Sequence, residues 1–161
     1  MCASRRQAIG TILMGAASAV LFTTRGATAG DFQVTHSDAE WRKILSPAAY
    51  DVMRHQGTEP AWSSPLEYEH RKGIYSCAGC DLALFSSDTK FESGTGWPSF
   101  FRPLPHAIET SDDRSFFEER TEVHCARCGG HLGHVFDDGP KPTGLRYCMD
   151  GVALKFQPLT A

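Results

Sequence analysis

Between residues 37 and 45 the polar and apolar positions follow a helical period. Ser37 and Glu40 have the spacing of a capping box, in which each end of the motif satisfies a backbone N–H of the other. Trp41, Ile44 and Leu45 follow at intervals that place them on one helical face. The pattern therefore predicts a short amphipathic helix that starts after Ser37.

A second helix is predicted directly after the first one. Ser46-Pro47 is typical of a helix start, because serine caps free N–H groups and proline fits the first helical position. The helix should run to about His55 and stop at Gly57, where glycine permits a left-handed end. The next stretch, 58–72, contains two prolines and is predicted to be irregular.

From Gly73 onward the pattern changes to short apolar or β-branched runs separated by Gly, Pro, Asp and Ser, which indicates strands. No run there has the length or period of a helix. The fold class is therefore mainly β: short N-terminal helices followed by a small antiparallel β domain. The candidate strands are Ile74–Ser76, Ala107–Thr110, Thr121–Cys125, Leu132–Phe136, Leu145–Met149 and Val152–Phe156.

The N-terminal residues have the order of a secretory signal peptide. A basic start with Arg5-Arg6 precedes an uncharged apolar run from Ala8 to Phe22 and the small residues Ala27-Thr28-Ala29. The paired arginines favour the twin-arginine export route. The sequence thus predicts a signal peptide at 1–29, a single domain at 30–161, and a periplasmic or otherwise exported location. The alternative is a retained membrane anchor, although the apolar run is short for a span.

The net charge narrows the choice of partners. It is −3 for the whole chain, and removal of a leader carrying three arginines and no acid would make it −6. An acidic domain is not suited to condense on nucleic acid or anionic lipid. We therefore expect no nucleic-acid partner and no stable membrane insertion after cleavage.

Four cysteines form two Cys-x-x-Cys pairs, which is the ligand set of a closed, structural zinc site. Glycines lie within the first pair and directly after the second, where they allow the tight turns that bring sulfurs together. Two disulfides, or a redox-active pair, are the alternatives in an exported protein. A catalytic zinc is disfavoured, because four cysteines leave no open position for water. The predicted ligands are Cys77, Cys80, Cys125 and Cys128.

Loss of Cys2 with the leader would leave Cys148 as the one cysteine outside this set. An odd cysteine in an exported protein pairs with another chain or is a reactive thiol. Arg146, two residues away, would share its face of a strand and favour a thiolate. His131 and His134 lie in another predicted strand and could transfer protons near neutral pH. The alternative is a buried, inert cysteine, with histidines that are spare zinc ligands or core residues with satisfied hydrogen bonds.

A glycine-rich segment, Phe91–Phe100, contains Trp97 but lacks the lysine of a phosphate-binding loop. Its aromatic side chains could form the floor of an apolar site. A turn with aromatic residues in the core is the alternative.

Several segments in the same order resemble the type B methionine sulfoxide reductases, which reduce the R epimer of methionine sulfoxide. The resemblance covers roughly Ser37 to Leu159. It rests on Gly57-Thr58-Glu59, Gly73-Ile74-Tyr75, Cys77-Ala78-Gly79-Cys80, Ser93-Gly94-Thr95-Gly96-Trp97-Pro98-Ser99-Phe100, Gly130-His131-Leu132-Gly133-His134-Val135-Phe136 and the segment from Asp138 to Cys148.

The resemblance implies two antiparallel sheets with a structural zinc on the four paired cysteines, and a thiol-dependent reductase of oxidised proteins or peptides. It also implies that Cys148 is the nucleophile and that His134 protonates or polarises the sulfoxide oxygen. The remaining implied roles are the shaping of the site by His131, Asp138 and Arg146, and the holding of the substrate by Trp97 and Phe136.

This chain departs from the family pattern at two places. Thr95 stands where many members carry a resolving cysteine, so we expect an external thiol, such as that of a thioredoxin-like protein, to reduce Cys148. Asp150-Gly151 replaces the usual Asn-Ser, and a carboxylate close to Cys148 would raise the pKa of the thiol. A zinc-bound binding module without turnover, and a general thiol oxidoreductase, are the competing functions.

Overall fold

The computed structural model describes residues 32–114 and 119–160. The predicted signal peptide, 1–29, lies outside these residues. Both predicted helices are present, as α1 (Asp38–Ile44) and α2 (Pro47–His55). Local side-chain contacts explain where they begin: the Ser37 N–H donates to Glu40 at 2.8 Å, and Ser46 Oγ accepts the Ala49 N–H at 3.2 Å.

The predicted apolar face of α1 is only partly correct. Trp41 and Leu45 are buried, but Ile44 is exposed. The helix ends at Ile44 and the next residue is already extended, so Ile44 does not complete a third buried position. α2 ends at His55, and the next residue, Gln56, is in the left-handed conformation one residue before the predicted Gly57.

In the described residues, nine strands follow the helices, together with 3-10 turns at Pro65–Tyr68, Ser87–Thr89 and Gly151–Ala153. All six predicted strand regions contain a strand, although their ends shift by several residues. The strands are β1 (Gly73–Cys77), β2 (Ala83–Ser86), β3 (Lys90–Phe91), β4 (Ser99–Phe100), β5 (Ile108–Asp113), β6 (Arg120–Cys125), β7 (His131–Phe136), β8 (Arg146–Met149) and β9 (Leu154–Pro158).

The strands form two antiparallel sheets, which confirms the mainly β expectation. One sheet has the order β2-β1-β9 and the other has the order β3-β4-β8-β7-β6-β5. The core between the elements contains Tyr75, Phe85, Phe100, Leu132 and Met149, all fully buried. Burial of this apolar surface is the main force that holds the sheets and α2 together.

The position of β8 determines the site. It lies inside the larger sheet, with β4 on one side and β7 on the other. Cys148 on β8 is therefore opposite Ser99 on β4 and opposite His134 on β7. Within the described part of the chain, no helix is long and apolar enough to cross a membrane.

Candidate active site and metal centre

The two Cys-x-x-Cys pairs meet at the junction of the two sheets. Cys77 ends β1 of the smaller sheet, and Cys125 ends β6 of the larger sheet. The cysteines that complete the pairs follow in tight turns, closed by backbone hydrogen bonds from Asp81 to Cys77 at 3.0 Å and from Gly129 to Cys125 at 2.9 Å. A metal ion held here would tie the two sheets together.

The four sulfur positions fit one metal ion. All four ligand atoms lie within 4.8 Å of one another, and three of the four residues are buried. The Cys77–Cys128 and Cys80–Cys125 sulfurs are 3.6 and 3.5 Å apart. A tetrahedral zinc with Zn–S bonds of about 2.3 Å would space its sulfurs by roughly 3.8 Å, whereas a disulfide requires about 2.05 Å. The cysteines are free thiols, and their positions fit a four-thiolate centre better than two disulfides.

A second set of residues surrounds Cys148 and lines a pocket, called the Cys148 pocket below. It contains a thiol, an imidazole, a guanidinium, a carboxyl group and two aromatic rings. The lining residues are Thr58, Trp97, Arg120, Gly133, His134, Phe136, Cys148 and Asp150. Trp97, His134, Phe136 and Cys148 are among the residues that the sequence singled out, and the fold brings these four together.

Gly133 explains the closeness of β7 to β8 in this pocket. Its φ is +142°, and a Cβ atom built on it would lie 2.2 Å from the carbonyl oxygen of Cys148. A larger residue would push the two strands apart, so this position requires glycine. The backbone next to Cys148 is thereby held against the strand that carries His134.

The thiol of Cys148 is half-buried, and burial raises its pKa because the thiolate loses hydration. Thr95 opposes that effect, with its Oγ1 3.8 Å from Cys148 Sγ. The positive charge of Arg146 also lowers the pKa of the thiol, and the carboxylate of Asp150 raises it. The pKa of Cys148 therefore depends on the balance between burial, the hydrogen bond from Thr95 and the opposite charges of Arg146 and Asp150.

His134 is anchored by an acid that the sequence analysis did not select. Its Nε2 lies 2.8 Å from Oδ2 of Asp113, and Arg120 donates to the same oxygen at 2.7 Å. Burial lowers the pKa of His134, whereas the hydrogen bond to Asp113 raises it. Asp113 and Arg120 lie on the paired strands β5 and β6, and no local motif marks either residue.

His131 lies outside the pocket lining. Its side chain is only 2% exposed, and Nδ1 is 2.7 Å from Oε1 of Glu122. The hydrogen bond from His131 lowers the pKa of Glu122 to about 2. Nε2 of His131 has no hydrogen-bond partner among the described residues. His131 is therefore a buried residue that packs against the ring of His134, with the two ring centroids 5.2 Å apart.

Arg146 and Asp138 form a bidentate ion pair, with both N–O distances at 2.8 Å. Neither residue lines the Cys148 pocket, and the Asp138 side chain is mostly exposed. The guanidinium of Arg146 lies 4.3 Å from the ring centroid of Phe136. Asp138 thus orients Arg146 at the edge of the site and does not itself reach the thiol.

Trp97 is held by the segment that contains Glu59. Its indole Nε1 donates to the backbone oxygen of Glu59 at 3.1 Å. The backbone N–H of Glu59 in turn donates to Oδ1 of Asp150 at 2.8 Å, and the Glu59 carboxylate accepts the N–H groups of Gly151 and Val152. These reciprocal hydrogen bonds connect the Trp97 wall of the pocket to the segment after Cys148.

Asp150 is a buried acid that faces the thiol. It is only 4% exposed, and burial raises its pKa to about 6. Burial also raises the pKa of Glu59, the acid connected to it. The carboxyl groups of both residues therefore lose their protons at higher pH than they would in water.

Comparison with known proteins places this arrangement in a family. Residues 45–158 match the SelR domain. The peptide methionine sulfoxide reductase MsrB of Leptospira interrogans is 52% identical over 128 residues, which cover 79% of this chain and 98% of that protein. The MsrB of Methanosarcina barkeri is 54% identical over 125 residues, or 77% and 88% of the two chains.

A third relative gives the same result. The peptide methionine sulfoxide reductase MsrB of Agrobacterium fabrum is 51% identical over 128 residues, which cover 79% of this chain and 95% of that protein. The match includes the segments that carry the four paired cysteines and Cys148, since all lie within residues 45–158. This chain belongs to the SelR-domain family of MsrB-type peptide methionine sulfoxide reductases.

Proposed function

We propose that the protein reduces the R epimer of methionine sulfoxide in oxidised proteins or peptides. The observation that carries the proposal is the register of β7 and β8, which places Cys148 opposite His134 inside a pocket walled by Trp97. A catalytically silent binding module would have no use for a thiol opposite an imidazole. A general thiol oxidoreductase would require a second active cysteine, and Thr95 occupies the nearest position.

In the first step, the Cys148 thiolate attacks the electropositive sulfur of the sulfoxide. His134 supplies a proton to the oxygen, which otherwise would have to carry a full negative charge. The attack joins the two sulfur atoms, and the hydroxyl group then moves to the Cys148 sulfur as the S–O and S–S bonds to the substrate sulfur break. Methionine is released, and Cys148 is left as a sulfenic acid. The methionine sulfur gains two electrons and the Cys148 sulfur loses two.

The second step restores the thiol. Cys148 is the one described cysteine outside the paired cysteines of the metal centre, and the residue beside it is Thr95. An external thiol therefore attacks the sulfenic acid and releases water, and a second thiol resolves the mixed disulfide. A thioredoxin-like protein is the class of reductant that supplies both thiols.

The four paired cysteines hold a structural zinc. Four thiolates close the tetrahedron, so the ion supplies folding energy and takes no part in the reaction. Metal analysis of the purified protein should find one zinc per chain. Cys80→Ser should lower both zinc content and thermal stability, and a fully stable, zinc-free wild-type protein would contradict the assignment.

The N-terminal residues direct export. The paired Arg5-Arg6 and the Ala27-Thr28-Ala29 segment support a twin-arginine signal peptide that is cleaved after Ala29. N-terminal sequencing of the exported protein should begin at Gly30, and replacing both arginines by lysine should keep the precursor inside the cell. Retention of the full chain in the membrane would support the anchor alternative.

The function is tested by turnover on the separated R and S epimers of a methionine sulfoxide peptide, with a dithiol as the reductant. We expect methionine to form from the R epimer and not from the S epimer. Cys148→Ser should abolish turnover, because serine cannot accept and return the oxygen in this redox cycle. Turnover of the S epimer alone, or unchanged turnover by Cys148→Ser, would exclude the proposal.

A further inference from the structure

A large aromatic side chain outside the lining of the Cys148 pocket is exposed to solvent. Trp62 is 52% exposed, although tryptophan is normally largely buried. Its backbone N–H donates to the oxygen of Gly96 at 2.8 Å. No described cation lies over its ring, and its indole nitrogen makes no hydrogen bond to a described residue.

The indole lies against the loop that carries the residues around Cys148. A Cβ atom built on Gly96 would be 2.9 Å from both Cδ2 and Cε2 of Trp62. On one side of Gly96 is Thr95, which contacts Cys148, and on the other is Trp97, which lines the pocket. Trp62 is therefore one residue away from two walls of the reaction site.

Backbone conformation indicates that this exposure is imposed by the fold. Trp62 has a φ of +67°, in the left-handed region that side chains other than glycine rarely adopt. Gly96, which it touches, has a φ of +89°. Strain of this kind costs on the order of 1–3 kcal/mol and persists where the surrounding structure determines it, often at functional sites. The loop at 58–63 thus presents an indole to solvent at an energetic cost.

We propose that Trp62 binds an apolar side chain next to the methionine sulfoxide in the polypeptide substrate. The inference rests on the proposed function, since it concerns the chain that flanks the reacting residue. A methionine sulfoxide whose sulfur reaches Cys148 brings its neighbouring residues close to Thr95 and Trp97, and Trp62 packs against Gly96 between these two residues. A rigid aromatic surface with no charged partner among the described residues is suited to apolar contact.

Two blocked peptides test this proposal. In one the R-methionine sulfoxide is flanked by leucines, and in the other it is flanked by glycines. The wild-type protein should have the higher kcat/KM on the leucine peptide, mainly through KM. Trp62→Ala should lower the leucine-to-glycine ratio of kcat/KM by about fivefold, as expected for truncation of an aromatic contact residue. Trp62→Phe should retain most of the preference.

The matched control is Tyr68→Ala, because Tyr68 is also an exposed aromatic residue, at 58%, but does not line the Cys148 pocket. It should keep the wild-type ratio. A wild-type protein without preference, or a Trp62→Ala protein in which both peptides lose activity equally or not at all, would overturn the proposal. Failure of the wild-type protein to reduce either peptide would instead count against the proposed function.

Discussion

His134 Nε2 and Asp113 Oδ2 lie 2.8 Å apart, on strands that are separated in the sheet by β6. The contact fixes the orientation of the imidazole and favours its protonated form, while burial favours the neutral form. Asp113 is therefore a positioning residue for the proposed proton donor.

Asp113→Asn should lower kcat by about 10- to 100-fold at neutral pH, as expected when a general acid loses its support. Asp113 raises the pKa of His134, so without its charge the imidazole loses its proton at lower pH. The fall of kcat with rising pH should accordingly move to lower pH. A kcat–pH profile of the variant checks this shift.

Asp112→Asn is the control for that variant. Asp112 is on the same strand and lies 3.7 Å from Arg114, with both side chains mostly exposed. It should keep the wild-type profile. If Asp113→Asn also kept the profile, the acid would have no part in the protonation of His134.

Asp150 should set the reactivity of Cys148 through charge. Its carboxylate raises the pKa of the thiol, so Asp150→Asn should give a thiolate that forms at lower pH. Asparagine preserves an oxygen for the N–H of Glu59. Rates of alkylation by iodoacetamide as a function of pH, followed at Cys148, measure this effect. Identical curves for the two proteins would show that the charge of Asp150 does not affect the pKa of the Cys148 thiol.

The same residue should affect the pH dependence of stability. Burial raises the pKa of Asp150 to about 6 from its ordinary value of 3.8, so the native state holds this proton longer than the unfolded state. The contribution of Asp150 to the free energy of unfolding therefore decreases as pH rises from 3.8, its ordinary pKa, through about 6, its pKa in the folded protein. Between about pH 5 and about pH 7.5, the free energy of unfolding of Asp150→Asn should rise by about 1 kcal/mol relative to that of the wild-type protein.

Urea denaturation at each pH measures that gain. The difference in the free energy of unfolding between the two proteins should become constant above the pKa of Asp150, because the wild-type carboxyl group is then fully ionised. A constant difference across the whole range would mean that Asp150 does not titrate in the native state within it.

Thr95→Cys should restore an internal route of reduction. Thr95 Oγ1 is 3.8 Å from Cys148 Sγ, so a thiol in its place needs only a small loop adjustment to reach bonding distance. After one turnover this variant should form a disulfide between residues 95 and 148, which mass spectrometry of proteolytic fragments detects. Thr95→Ser is the matched control and should form none. Absence of the bond in Thr95→Cys would show that the loop cannot approach the oxidised thiol.

Local signals made both helices predictable from the sequence. Ser37 with Glu40, and Ser46 with Pro47, specify helix starts through contacts within a few residues. The paired cysteines were predictable for a similar reason, since the spacing within each pair is itself the chemical signal. The longer strands were also found, because their alternation or apolar content extends over several residues.

The shortest strands, and the residues that support His134 from behind, could not be predicted in this way. β3 and β4 have two residues each, and β4 is a strand only through its pairing with β3 and β8. Asp113 reaches His134 through the register of three strands, which no local pattern encodes. The motif of Asp138 implies a role in shaping the site, and the fold gives it a partner, Arg146, whose charge lowers the pKa of the Cys148 thiol.

In the proposed reaction, Cys148 removes the oxygen from R-methionine sulfoxide and carries it until an outside thiol arrives. A single-turnover reaction without reductant tests it directly. One equivalent of methionine should form per protein, and Cys148 should become one oxygen heavier and react with a sulfenic-acid probe. Methionine formation without oxidation of Cys148, or an internal disulfide at Cys148 in the wild-type protein, would contradict the account.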